Sequence, residues 1–95
     1  MATPTIPDLI LYGRPGCGLC TEARAMIGLL LADRAASGLP TPVLVERDID
    51  SDPEWQRAFF ATIPVVELGA GRLETVTSLA KLRRLLDDQL DEAVA

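Results

Sequence analysis

With 95 residues, nearly half of them apolar, and a formal net charge of −5, the chain is sized for one domain with a modest core and lacks the basic patch of a nucleic-acid binder. It contains no histidine, which excludes Cys–His catalysis, imidazole general bases and His-ligated zinc. Its two cysteines are too few for a four-thiolate zinc site within one chain, so no resident metal is expected.

Residues 1–7 read as an extended, proline-marked lead-in, without the basic start and long apolar segment of a secretory signal. Asp8 to Tyr12 is the first strand; the continuous run Leu9-Ile10-Leu11 suits a central strand covered on both faces. After the connection Gly13-Arg14-Pro15-Gly16-Cys17-Gly18-Leu19-Cys20, a helix follows over Thr21 to Ala36. Ala23, Ile27, Leu30, Leu31 and Arg34 fall at helical spacing there, with Met26 beside them, and the apolar members face the core. The stretch Ala25 to Ala32 has no charged or polar side chain, but it is far short of the roughly 20 residues that cross a bilayer. No membrane partner is expected, and a cytoplasmic placement is the simplest. Gly38 supplies a left-handed stop, and Pro40 and Pro42 prevent the helix from resuming.

Val43 to Ile49 is the second strand. Reaching it through a helix predicts a right-handed parallel crossover, and its charged end Glu46-Arg47-Asp48 predicts a place near a sheet edge. A short helix over Pro53 to Phe60 begins either with Ser51 and Glu54 as a capping box or with Asp52 as cap and Pro53 at the first helical position. Trp55 and Phe59, at i,i+4 spacing, read as core aromatics. Pro64 opens the β-branched strand that runs to Leu68. Gly69-Ala70-Gly71 is a turn, and Arg72 to Val76 is its hairpin partner. Thr77 or Ser78 caps a last helix with Leu79, Leu82, Leu86 and Leu90 along one face. The tail from Glu92 is expected to fray, leaving an ordered core of about 8–90. The order is β-α-β-α-β-β-α. It predicts one mixed four-stranded sheet with helices one and three on one face and helix two on the other.

The chemistry-bearing feature is the pair Cys17 and Cys20, set where a strand hands over to a helix. Cys17 falls at or just before the first helical turn, where unpaired N–H groups and the helix dipole stabilise a thiolate. Such positions lower a thiol pKa of about 8.5 to roughly 3.5–7.5. Cys20 lies a turn further on, and its side chain leans back toward Cys17. Gly16 and Gly18 allow a tight, uncrowded entry loop. The plainer reading is two buried structural cysteines, since free Cys is among the most buried residue types.

Arg-Pro-Gly-Cys-Gly-Leu-Cys after a strand, Thr62-Ile63-Pro64-Val65-Val66 downstream, and a last helix after a Gly-turned hairpin together resemble the glutaredoxin-like proteins of the thioredoxin superfamily. The likeness spans residues 8–90 and implies a thioredoxin-like fold and a thiol–disulfide oxidoreductase. On that resemblance Cys17 is the nucleophile and Cys20 the resolving thiol. Pro64 follows a cis peptide bond and packs beside the cysteines, and the backbone of Ile63 pairs with substrate. Arg14 stands where many of these proteins carry Lys. A cation there would favour the Cys17 thiolate and meet a glutathione carboxylate; the plainer reading is a solvated surface Arg. The implied substrate is a disulfide-containing protein or glutathione, the latter as co-substrate rather than bound cofactor, with a reductase as another electron donor.

The chain departs from the pattern in two places. Gly18-Leu19 stands between the cysteines in place of the usual Pro-Tyr. Glu74-Thr75-Val76-Thr77-Ser78 replaces the Gly-Gly and acidic residues where the γ-glutamyl end of glutathione docks, although Thr77 and Ser78 still offer hydroxyls and helix-start amides to a carboxylate. Two further readings stay open: a non-catalytic binding or scaffold module on the same frame, and a metal or iron–sulfur cluster shared between two chains through Cys17.

Overall fold

The computed structural model describes residues 6–91, so the lead-in before residue 6 and the tail from Glu92 lie outside the described residues. The elements are β1 (Leu9–Gly13), α1 (Gly18–Ala36), β2 (Leu44–Asp48), α2 (Pro53–Phe59), β3 (Val65–Leu68), β4 (Gly71–Leu73) and α3 (Leu79–Leu90), with a 3-10 turn at Ile49–Ser51 before α2. The four strands form one mixed sheet in the order β2-β1-β3-β4. β1 runs parallel to β2 and antiparallel to β3, and β3 pairs antiparallel with β4. This is the expected thioredoxin-like arrangement, with the charged β2 on an edge.

Alternation along β1 and β3 divides the core between the two faces. Leu9 and Leu11 of β1 and Val66 and Leu68 of β3 join Ala23, Ile27 and Leu30 of α1 and Leu82, Leu85, Leu86 and Leu90 of α3. Tyr12 and Val65 turn the other way, onto Ile49 and Phe59, with Trp55 and Ile63 packed around them. Tyr12 lies 4.5 Å from Phe59 and 5.8 Å, edge-on, from Trp55 between ring centroids. Helices one and three thus cover one face and helix two the other.

Several ends and faces differ from the sequence expectation. α1 starts at Gly18 rather than Thr21, because Cys17 itself is the cap. Ile49 leaves β2 for the 3-10 turn, whose cap is Asp48. Of the two proposed starts of α2, the Asp52 side chain accepting from Glu54 N–H is the one found, with Pro53 at the first helical position. Ser78, not Thr77, caps α3 by accepting from Lys81 N–H at 3.2 Å. Leu79 is exposed, and Leu85 takes a core place instead. β4 stops at Leu73 rather than Val76 because Thr75 and Val76 donate their N–H groups to the Thr62 and Pro64 carbonyls, outside the hairpin ladder.

Two glycine positions are dictated by backbone geometry. Gly69 has φ +56 as the first residue of the two-residue loop closed by the Leu68–Gly71 pair, the requirement of a type II′ hairpin. Gly38, with φ +71, ends α1. Its N–H reaches the Ala35 carbonyl and Leu39 N–H reaches the Arg34 carbonyl, the two bonds of a Schellman motif. Beside that stop Arg34, only 5% exposed, donates to the Pro40 carbonyl (2.8 Å), Asp87 (3.0 Å) and Asp91 (2.6 Å). One guanidinium ties the end of α1 to the loop after it and to α3.

Candidate active site

The turn that carries the chain from β1 to α1 is Arg14-Pro15-Gly16-Cys17. Cys17 N–H donates to the Arg14 carbonyl at 3.3 Å, and Gly16 has φ +81. Pro at the second position and a positive-φ glycine at the third are what a type II turn requires. The turn delivers Cys17 to the N-cap of α1 with extended backbone angles (φ −88, ψ 109). Its sulfur accepts the Cys20 N–H at 3.1 Å. A cap oxygen normally satisfies that unpaired donor; here a sulfur does.

Cys17 and Cys20 are joined in a disulfide, with their Cα atoms 5.2 Å apart, inside the window such a bond requires. The two sulfurs are not equivalent. Cys20 is 2% exposed, while Cys17 is only half-buried. Leu19 between them is exposed at 43%. Cys20 packs directly over the end of β1: a Cβ on Gly13 would stand 3.1 Å from its sulfur. The glycine leaves room for this close approach, which an added Cβ would crowd.

The Ile63–Pro64 peptide is cis. Tyr12 pairs with Val65, and one further step in that register sets Pro64 opposite Gly13, at the end of the sheet that holds the disulfide. The carbonyls on either side of Ile63 are strapped, Thr62 to Thr75 N–H (2.8 Å) and Pro64 to Val76 N–H (3.0 Å). Thr75 holds φ +47, unusual for a β-branched residue, within this strap. Ile63 N–H is already given to the Phe59 carbonyl at 3.1 Å. Among the described residues the Ile63 carbonyl accepts no hydrogen bond.

Arg14 is paired rather than free. Its Nη2 and Nε donate to the two carboxylate oxygens of Asp50 at 2.6 and 3.3 Å, and Gln56 Nε2 donates to the same carboxylate at 3.3 Å. The Arg14 hydrogen bond, and next its charge, hold the Asp50 carboxyl below the ordinary carboxylate range; Asp50 in turn raises Arg14 above its usual value. A groove of about 310 Å³ opens beside Cys20 and Gly13, and Arg14, Arg24, Arg47 and Asp48 line it. Arg24 pairs with Glu46, and Arg47 lies 5.2 Å from the ring centroid of Trp55.

The structure thus gathers Cys17 and Cys20 at one junction, with Arg14 on the turn before them and Pro64 at the same end of the sheet. Sequence reasoning missed Gly13 and Asp50. The first is an unremarkable strand-end glycine until Cys20 is seen above it. The second is remote from Arg14 in the chain and carries no local signal. Among the described residues no group of three or more Cys, Asp or Glu is placed to hold a metal ion, and no helix is long and apolar enough to cross a membrane.

Residues 8–93 match the family described as Glutaredoxin-like domain. The X-ray structure of the structural-genomics target protein XcR50 from X. campestris is similar at 26% identity and a TM-score of 0.69, with 85% of this chain and 97% of that one covered. Protein Ne2328 from Nitrosomonas europaea is similar at 20% identity and a TM-score of 0.63, covering 98% and 96%. Thioredoxin 1 from Thermosipho africanus TCF52B, at 13% identity, shares the fold with a TM-score of 0.67 over 93% of this chain and 99% of its own. No curated protein matches the chain.

Proposed function

Because this chain belongs to the glutaredoxin-like domain family, we propose that it is a thiol–disulfide oxidoreductase in which Cys17 attacks and Cys20 resolves. In the reduced protein the Cys17 thiolate attacks one sulfur of a substrate disulfide. A Cys17–substrate bond forms, the substrate S–S bond breaks, and the departing thiolate takes up a proton. Cys20 then gives up its proton and attacks the Cys17 sulfur. The mixed disulfide breaks, the second substrate thiolate leaves, and the Cys17–Cys20 bond forms. Two electrons pass to the substrate, and two from an external dithiol or a pair of monothiols return the protein to its starting state. A dithiol that cycles in this way belongs in a reducing compartment such as the cytoplasm.

The observation that carries this reading is the Cys17 sulfur at the N-cap of α1, accepting an amide N–H while half-open to solvent. An N–H that donates to a disulfide sulfur donates more strongly to a thiolate, and the positive end of the helix dipole adds to it. The burial of Cys20 supports its second place in the sequence. Ile63 and Pro64 frame the position of the substrate chain, and Arg14 stands on the turn before Cys17, held by Asp50. The substrate is a protein disulfide or glutathione disulfide.

Replacing the cysteines one at a time tests the assignment. Cys17→Ser abolishes disulfide reduction, whereas Cys20→Ser accumulates a mixed disulfide at Cys17 that mass spectrometry detects. Equal and mild effects of both substitutions would remove the assignment and leave a binding module that happens to carry a thiol pair.

A further inference from the structure

The cation on the turn that delivers Cys17 is already engaged. The Arg14 guanidinium grips both oxygens of Asp50, at 2.6 and 3.3 Å, a two-pronged geometry with more directional hold than a single contact. Asp50 is steadied in turn: Gln56 Nε2 donates to its carboxylate at 3.3 Å, and its own N–H donates to the Asp48 side chain at 2.9 Å. The other guanidiniums of the groove beside Cys20 have partners too, Arg24 in Glu46 and Arg47 in the Trp55 and Tyr12 rings. Two of these guanidiniums thus sit in ion pairs, with Asp50 and Glu46, and the carboxylate of Asp48 lines the same groove, so the surroundings of the disulfide present little net positive potential to an anion.

We propose that Asp50 is a specificity-determining positioning residue: by holding Arg14 in this pair it withholds a cation from Cys17 and from an incoming substrate, and so favours polypeptide disulfides over small anionic ones. The inference rests on the oxidoreductase reading above. A polypeptide disulfide need carry no carboxylate near its sulfurs, whereas glutathione disulfide carries carboxylates at both ends of each short tripeptide arm and gains from a free guanidinium. Apolar surface at the junction fits the same preference, with Leu19 exposed at 43% between the cysteines and Ile63 partly exposed before Pro64. The Asp50 carboxyl, held below the ordinary carboxylate range first by the Arg14 hydrogen bond, is charged at neutral pH.

The test compares rates of oxidation of the reduced protein by three small disulfides: anionic glutathione disulfide, neutral 2-hydroxyethyl disulfide and cationic cystamine. Ratios between them are read rather than single rates, because a freed Arg14 also favours the Cys17 thiolate and accelerates all three. Asp50→Asn keeps the size of the side chain and removes its charge. It is expected to raise the glutathione-to-neutral ratio about 2- to 5-fold, the scale of one exposed ion pair, and to lower the cystamine-to-neutral ratio. Asp50→Glu keeps the wild-type ratios, and adding Arg14→Gln to Asp50→Asn cancels the gain. Equal changes for all three disulfides, with a lowered melting temperature, would mean that Asp50 only shapes the turn before α2 and would overturn the proposal. A wild-type dithiol that reacts with none of the three faster than a free thiol brings down the oxidoreductase reading itself, a result separable from the first because it needs no variant.

Discussion

At the N-terminal end of α1 the polar groups stay accessible, while at its C-terminal end they are closed off. Cys17 caps the first turn with a half-buried sulfur, and the nearby Arg14–Asp50 pair stands in solvent, its side chains 36% and 44% exposed. Near the other end of this 19-residue helix, Arg34 has a side chain only 6% exposed and three acceptors around it, and the Gly38 motif satisfies the last carbonyls. The same helix therefore keeps its cap sulfur partly open at one end and its anchoring guanidinium largely shielded from water at the other. A sulfur that must form and break bonds gains from an incompletely filled surrounding, whereas a buried guanidinium is tolerable only when its donors are matched.

Breaking the closed end has the largest expected effect on stability. Arg34→Ala removes three hydrogen bonds, two of them to carboxylates, and leaves a gap between α1 and α3. Because Asp87 and Asp91 are partly solvated, the cost is expected at about 2–3 kcal/mol, below that of breaking a fully buried pair. Urea unfolding measures it, and the folded fraction should oxidise at the wild-type rate. A slower dithiol in that fraction would show the two ends to be coupled.

Gly13→Ala acts at the open end. The added methyl meets the Cys20 sulfur at 3.1 Å and its Cβ at 3.2 Å, so the side chain of Cys20 or the end of β1 must move. About 1–2 kcal/mol of destabilisation is expected, as for other overpacked sites, together with a slower second step in which Cys20 displaces the substrate. Single-turnover kinetics separates that step from the first attack.

A smaller effect concerns the face covered by α2. Burial first, then the hydrogen bond to Glu67 at 3.1 Å and the Glu67 charge, raise the Tyr12 pKa above 10.0, with Arg47 opposing. The neutral phenol is thus favoured in the folded state. Its contribution is fully present below the unfolded pKa of about 10 and is lost as pH rises from there through the folded value. Tyr12→Phe should cost about 1 kcal/mol at neutral pH through the lost bond and flatten the alkaline fall in stability above pH 10. An alkaline limb unchanged in the variant would assign that fall to other groups.

What could be read from the chain divides along the same lines. Signals that act within a turn or two were legible: Asp52-Pro53 as one of two starts for α2, Gly38 as a stop, the hairpin at Gly69, and Cys17 at a helix start. The continuous apolar run Leu9-Ile10-Leu11 placed β1 at the centre of the sheet. Groups that need distant partners were not legible. Arg34 read only as a residue at helical spacing because Asp87 and Asp91 lie 53 and 57 positions away. Asp50 is 36 positions from Arg14, so the sequence offered Arg14 as a cation for substrate without showing the carboxylate that holds it. The end of β4 was misplaced for the same reason, since Thr75 and Val76 bond to the Thr62 and Pro64 carbonyls rather than along the hairpin.

The most direct test is the pH dependence of alkylation of the fully reduced protein by iodoacetamide, with the modified cysteine identified by peptide mass. The account predicts that Cys17 is modified first, with a midpoint well below the roughly 8.5 of a free thiol, while Cys20 stays protected until the protein unfolds. Equal labelling of the two cysteines, or a Cys17 midpoint at or above that of a free thiol, would contradict it.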